Sequence, residues 1–246
     1  MKSLTELLQD IDTLLSEIQA HRPLSQAELW ELRKSLWVAF THHSTAIEGN
    51  TLTLGETKLV LEDGLTIWGK TLREIHEVSN HHVLLEMLYD FLQHTQDIDE
   101  VYICRIHKEV MKHLDDTGGE YRKLQIALSW DELLPPKASE VPEKMKDFLD
   151  WYNKQKDTLH PVLLAWEFHY RFVKIHPFLD GNGRTIRLIF NMILMKQGYP
   201  MIILPKIRRA EYISTLHSSS SLQDFLQFFA DIVVVNLQDY LRMIEE

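Results

Sequence analysis

His176-Pro177-Phe178-Leu179-Asp180-Gly181-Asn182-Gly183-Arg184-Thr185-Ile186-Arg187 is the stretch on which the reading of this chain turns. Upstream, Pro161 opens an apolar, helix-spaced run that lasts to about Ile175, and proline suits the first turn of a helix. His176-Pro177 ends the run. A residue before proline is steered out of the helical region, so His176 is expected to be extended. Asp180-Gly181-Asn182-Gly183 reads as a glycine loop, and a second apolar helix opens near Arg184, running through Ile186, Ile189, Phe190, Ile193 and Leu194 until Gly198 and Pro200 close it. The amides of Gly181, Asn182 and Gly183 then lie at a helix N-terminus, where unpaired N–H groups and the helix dipole attract anions. Arg184 and Arg187 are three apart and share a helix face. Between Arg171 and Arg187 four Lys/Arg stand against one Asp, inside a chain of net charge −10. The loop therefore reads as a polyphosphate cradle. Asp180 is the hard oxygen ligand for Mg²⁺ beside it, and His176 is the group able to take a proton from an attacking hydroxyl. Other loop chemistries fail on spacing. With Asp180 first, an EF-hand would need glycine where Thr185 stands, and neither a P-loop nor a dinucleotide fingerprint occurs.

Outward from this stretch the pattern is helical nearly throughout. Leu4, Leu7, Leu8, Ile11, Leu14, Leu15 and Ile18 form one face of an opening helix. Ser25 with Glu28 makes a capping box for a second helix that runs to about Ile47, where Gly49-Asn50 stops it. Further helices are expected near 55–63, 71–93, 98–114 and 142–155, and again from Arg208 to about His217 and from Leu222 onward. One segment breaks the pattern. Leu124, Ile126 and Leu128 alternate with Gln125, Ala127 and Ser129, Trp130-Asp131-Glu132 can turn, and Leu133-Leu134 can return before Pro135-Pro136. This predicts one small β-hairpin in an otherwise all-α protein. Trp30, Trp37, Trp130, Trp151 and Trp166 read as core or interface, and Trp68, next to Gly69, as exposed.

Composition narrows the partners. With 45% hydrophobic residues the chain can bury a sizeable core. An acidic chain with pI near 5.7 is a poor binder of nucleic-acid backbone. The single Cys104 excludes an intrachain disulfide framework and a multi-cysteine zinc site. With no membrane-length apolar run and no signal-like start, a cytoplasmic setting is expected. His42-His43, His76, His81-His82, His107 and His169 carry no metal-binding spacing, and the cluster from His76 to His81-His82 reads as helical surface or interface groups.

The 176–187 stretch resembles, without a gap, the signature of the Fic (filamentation induced by cAMP) family, H-P-F-x-[DE]-G-N-G-R-x-x-R, and every specified position agrees. The resemblance implies a Fic-like helical bundle and transfer of AMP from Mg·ATP to a Ser, Thr or Tyr hydroxyl of a target protein. It implies that His176 is the general base, Asp180 binds the metal and Phe178 anchors the loop. Gly181, Asn182 and Gly183 would hold the phosphates, and Arg184 and Arg187 the outer ones. Gly183 is where the related Doc phosphotransferases look different. Gly119-Glu120-Tyr121-Arg122, the alternating segment and Pro135-Pro136 resemble the family's flap (about 119–137), along which a target segment pairs. Arg209 and Tyr212 resemble a region lining the adenine site, although Ser219 stands where relatives carry Asn.

Ser44-Thr45-Ala46-Ile47-Glu48-Gly49 resembles a second family pattern, [ST]-x-x-x-E-[GN]. There Ser44 and Glu48 stack on one helix face, and the resemblance implies that Glu48 pairs with Arg187 and inhibits by misplacing the outer phosphate of ATP. The expected organisation is 1–95 as an N-terminal helical region with the inhibitory motif (44–49), 96–200 as a Fic core with flap and signature loop, and 201–246 as packed C-terminal helices. Regulated members self-associate, so a homodimer is expected, together with self-modification. Two other readings stay open: a hydrolase that removes AMP by using Glu48 to align water, and a non-catalytic nucleotide-sensing or toxin-regulating module.

Overall fold

The computed structural model describes residues 2–21, 23–94, 97–128, 135–217 and 219–245. Its helices are α1 (Leu4–Ala20), α2 (Gln26–Ile47), α3 (Leu54–Asp63), α4 (Leu72–Gln93), α5 (Glu100–Val110), α6 (Val141–Gln155), α7 (Pro161–Ile175), α8 (Asn182–Lys196), α9 (Arg209–Leu216) and α10 (Leu222–Glu245), with short 3₁₀ turns at Ala138–Glu140 and Lys206–Arg208. Local chemistry sets most of the starts. Ser3/Glu6, Ser25/Glu28, Thr53/Glu56 and Thr71/Glu74 form reciprocal capping boxes, and Asp99 caps α5. Each such cap supplies about 1 kcal/mol. No helix among the described residues is long and apolar enough to cross a membrane.

The core is organised around the helix pair α7 and α8, which the signature loop joins. Trp166 on α7 is wholly buried, stacked on Phe229 of α10 with ring centroids 3.6 Å apart and 4.2 Å from Phe190 of α8. Beyond α8 the chain runs extended to Pro205, held at two points. Asn191 brackets Ile202, donating to its carbonyl at 3.0 Å and accepting from its N–H at 2.8 Å. Asn236 brackets Ile203 in the same way, at 3.0 and 2.8 Å. These side-chain amides replace a missing strand partner and fix where α9 begins. A smaller cluster of Leu52, Val60, Ile75 and Val78 seats α3 on α4 behind the end of α2.

Three expectations need correction. The β-hairpin is not formed among the described residues: 119–128 and 135–137 contain no strand, while the turn at Trp130-Asp131-Glu132 and the return at Leu133-Leu134 lie outside them. Side chains take the backbone acceptors a ladder would need. Arg122 donates to the carbonyls of Leu124 and Pro136, and Gln125 to that of Pro135. Pro135 and Pro136 have no N–H to give in return. Second, His176 is not extended but left-handed, with φ 50° and ψ 63°. It ends α7 as a left-handed cap, its N–H bonded to the Phe172 carbonyl at 2.9 Å. The strain, about 1 kcal/mol for a non-glycine residue, is offset by Arg122, whose Nε donates to the His176 carbonyl at 2.8 Å. Third, Trp30, read as core or interface, is 52% exposed and so is not core. Trp68 is exposed as expected, and Trp130 lies outside the described residues.

Trp166→Ala is expected to lower unfolding free energy by about 3–5 kcal/mol and Trp68→Ala by no more than about 0.5 kcal/mol, both read from urea denaturation. Similar losses for the two would contradict the placement of the core.

Candidate active site

The loop between α7 and α8 is braced from below by α5. Phe178 is wholly buried, its ring lying flat on that of His107 at 3.6 Å and 3°. Asn182 crosses the loop, accepting from the Phe178 N–H at 3.0 Å and donating to its carbonyl at 2.9 Å. His107 accepts from the Gly119 N–H at Nδ1 (2.8 Å), so its proton sits on Nε2, which donates to the Asp180 carbonyl at 2.9 Å. One neutral imidazole thus joins the flap base to the loop. Two glycines hold left-handed backbone that a side chain would strain, at φ 73° for Gly181 and φ 88° for Gly119, and a Cβ on Gly119 would also fall 2.9 Å from the Cys104 carbonyl oxygen. Buried Arg122 completes the frame, its own N–H donating to the Pro177 carbonyl at 2.9 Å.

Helix α8 opens without a side-chain cap. The Gly181 N–H is taken by Asp180 Oδ1 at 2.6 Å, whereas no described group accepts from the amides of Asn182 and Gly183. Above them lies a cavity of about 410 Å³ lined by Glu48, His176, Asn182, Gly183, Arg209 and Tyr212, with apolar walls from Ile47, Val173 and Leu216 and a rim from Ile126–Leu128 of the flap. That volume falls in the range of small-molecule sites. Burial pushes the His176 imidazole down to about 4, with the Val173 carbonyl and the Glu48 carboxylate opposing. At neutral pH it is therefore uncharged and able to accept a proton.

Glu48 caps the end of α2 and reaches the same place. Its Oε1 accepts from Arg187 Nη2 at 2.7 Å. Arg187, only 1% exposed, is further held by Ser44: Nε donates to the hydroxyl at 3.0 Å and Nη2 to the carbonyl at 2.7 Å. The carboxylate lies directly over the loop, since a Cβ on Gly183 would fall 2.1 Å from Glu48 Oε1 and 2.8 Å from Arg187 Nη1. Arg209 donates from Nε to the Ile47 carbonyl at 2.6 Å, tying the end of α2 to α9. Tyr212 contributes its ring to the cavity while its hydroxyl meets His169 Nε2 at 2.9 Å inside the core.

The structure thus brings His176, Asn182, Gly183, Glu48 and Tyr212 to one cavity, with Ser44 and Arg187 directly behind Glu48. Arg184 and Asp180 face α4 instead. Arg184 is buried 3.7 Å from Glu77 Oε1 and 3.6 Å from Asp180 Oδ1. Asp180 Oδ2 pairs with Arg73 at 2.5 Å. Ser219 bonds His217 Nδ1 outside the cavity. From the sequence, Arg73 and Glu77 are not singled out, His107 is read only as lacking metal-binding spacing, and Arg122 only as part of the flap. For His107 a signal existed, because Ile103, Ile106, His107 and Val110 share the buried face of α5. For the other three, spacing carries none.

Among the described residues no cluster of three or more His, Cys, Asp or Glu could hold a metal by itself. Asp180 is a single half-exposed carboxylate whose outer oxygen is already matched with a cation, the Arg73 guanidinium. That donor set suits Mg²⁺, which characteristically combines one or two carboxylates with water and substrate phosphates.

Gly183→Ala is expected to cost the parent about 1–3 kcal/mol by overpacking and clearly less in a Glu48→Gly background, where the clashing carboxylate is gone. Equal costs in a double-mutant cycle would show that Glu48 does not sit over Gly183. The buried imidazoles give a second expectation. Burial holds His107 and His176 down to about 4 and His81 to about 3, from an ordinary 6.5. Unfolding frees them to take up protons, so stability is full above about pH 6.5 and is lost as pH falls through the window toward 4. The urea midpoint should drop between pH 7 and pH 5, and a constant midpoint would contradict neutral, buried histidines.

Comparison with known proteins bears on the same region. The Fic/DOC family model matches residues 97–194. Curated relatives described as protein adenylyltransferase Fic include those of Drosophila grimshawi, 35% identical over 88% of this chain and 45% of the relative, and Drosophila yakuba, 34% identical over 95% and 48%. The chain spans about half the length of these relatives. Among solved structures, a Fic domain containing signaling protein from Bacteroides thetaiotaomicron superposes with TM-score 0.86 at 29% identity, covering 96% of this chain and 98% of that one. Fic-1 from C. elegans superposes at 0.89 with 32% identity, covering 98% and 73%.

Proposed function

The chain belongs to the Fic/DOC family, and we propose that it is a protein adenylyltransferase that moves AMP from Mg·ATP to a Ser, Thr or Tyr hydroxyl, restrained by its own Glu48. The observation that carries this is the Glu48 carboxylate, paired with Arg187 at 2.7 Å over Gly183 and lining the cavity that holds the uncharged His176. An anion stands where free amides and a helix dipole favour one. The activity for which the relatives are named supports the same reading.

In the proposed reaction the amides of Asn182 and Gly183 hold the phosphate chain, and Arg187 receives the outer phosphates once Glu48 withdraws. Arg184 supports them from the α4 side. The target hydroxyl oxygen attacks the α-phosphorus, its proton passes to His176, and the bond to the bridging oxygen breaks, releasing pyrophosphate. Asp180 would hold Mg²⁺, which supplies charge neutralisation along the phosphates. Tyr212 and Arg209 border the nucleoside end. The target segment lies along the flap, pairing with its backbone near Leu124–Ile126. A segment of this chain in that position gives self-modification. For the expected homodimer, Leu65, Trp68 and Leu72 are exposed apolar side chains available for contact. With Glu48 in place Arg187 is occupied, so the α-phosphate is not aligned for in-line attack. The same half-exposed carboxylate, lining the cavity with His176, favours a second reading, in which it holds water that removes AMP from a modified target.

Incubation with α-labelled ATP and Mg²⁺ tests the first reading. Glu48→Gly should label protein about tenfold or more above the parent, the scale of one lost charge-assisted hydrogen bond, and adding His176→Ala should abolish the label. Labelling that survives His176→Ala would overturn the general-base role. Loss of label from a pre-modified target only when Glu48 is present would favour the hydrolytic reading.

A further inference from the structure

Arg73 is the second residue of α4. A cation is badly placed there, since the first turn of a helix favours anions, and the helix itself does not explain the side chain's position. Two carboxylates do. Its Nη2 lies 2.5 Å from Asp180 Oδ2, and its Nε 3.4 Å from Glu77 Oε1, one turn along. The other Asp180 oxygen is engaged by the Gly181 N–H and faces Arg184 at 3.6 Å. Oδ2 is therefore the one oxygen that Asp180 can offer outward, and Arg73 covers it.

We propose that Arg73 is the place-holder for the divalent cation at Asp180: its guanidinium neutralises the carboxylate in the resting protein and must be displaced when a cation–nucleotide complex binds, so that Arg73 sets how much divalent cation the site requires. This rests on the assignment of Asp180 as the cation ligand. The side chains of Arg73 and Asp180 are 53% and 49% exposed, and an ion pair so open to water is weak and screened by salt. It can yield to a divalent ion, whereas a buried pair would exclude one. Glu77 offers the released guanidinium a second partner without a large movement, being already in reach, and Glu77 is fixed independently by Asn50 Nδ2 at 3.0 Å.

The test measures binding without transfer. Mn²⁺, in the presence of an ATP analogue with a β,γ-imido bridge, is titrated into the full chain and free Mn²⁺ is read by electron paramagnetic resonance. Arg73→Gln should bind Mn²⁺ tighter than the parent by about twofold to fivefold, the upper part of the range set by a half-exposed ion pair. Arg73→Lys, which keeps the charge, should stay near the parent, and raised salt should narrow the gap between Arg73→Gln and parent. Equal or weaker Mn²⁺ binding by Arg73→Gln would overturn the proposal and make Arg73 a loop brace or a phosphate ligand. Asp180→Asn separates this from the underlying assignment. If it leaves Mn²⁺ binding unchanged, Asp180 is not the cation ligand and both fall. If it weakens binding while Arg73→Gln has no effect, only the place-holder role falls.

Discussion

A guanidinium that is 1% exposed needs anionic or carbonyl oxygen around it, and Arg187 finds both on one turn of α2. Leaving such a charge buried without partners costs several kcal/mol. Arg187 therefore fixes the end of α2 against the start of α8, and the position of everything between them follows. Ser44 supplies the permanent contacts from a buried position. Glu48, one turn later and half exposed, supplies one that solvent or a ligand can replace. Arg187 Nη1, buried without a described partner, still has donors to give. In the proposed function a nucleotide phosphate would meet this guanidinium with Ser44 already bound to it and Glu48 in the way.

The rigidity of the loop has a different source. Phe178 on His107, Asn182 across the loop and Arg122 under the His176 and Pro177 carbonyls hold the backbone at residues spread over α5, the flap base and α8. His107 must stay neutral to accept from Gly119 while donating to Asp180, and burial keeps it so. The geometry of the candidate site is thus placed on helices and tied by a buried polar frame, as preorganised sites require. The left-handed backbone at His176 is one consequence, a local strain that the surrounding contacts hold in place.

What the sequence made legible was mostly local. Pro161, Ser25 with Glu28, and Gly198 with Pro200 mark helix ends through chemistry acting within a turn, and α2 and α7 end where the pattern stops. The pairing of Glu48 with Arg187 joins residues 139 apart in the chain, and only the family resemblance pointed to it. Arg184 and Arg187 were read as acting together because they are three residues apart. Three residues leave the two side chains about 60° apart around the helix, and their partners on different neighbouring helices, Ser44 on α2 for Arg187 and Glu77 on α4 for Arg184, draw the guanidinium groups to separate places. The alternation at Leu124–Leu128 has the period of a strand, but pairing is a tertiary matter, and Arg122, Gln125 and two prolines occupy the positions a partner strand would need. The rule that steers a residue before proline toward extended backbone lost at His176 to a cap and a buried arginine, neither visible in the local sequence.

In the proposed function the Glu48 carboxylate stands in the place of an outer phosphate. Calorimetric titration of ATP and of AMP into the parent and Glu48→Gly tests it directly, because AMP reaches the nucleoside end of the cavity without placing a phosphate at Arg187. Removal of Glu48 should tighten ATP by about tenfold, as one released charge-assisted contact implies, and leave AMP unchanged. Equal gains for both nucleotides, or no gain for ATP, would mean that Glu48 obstructs no phosphate position.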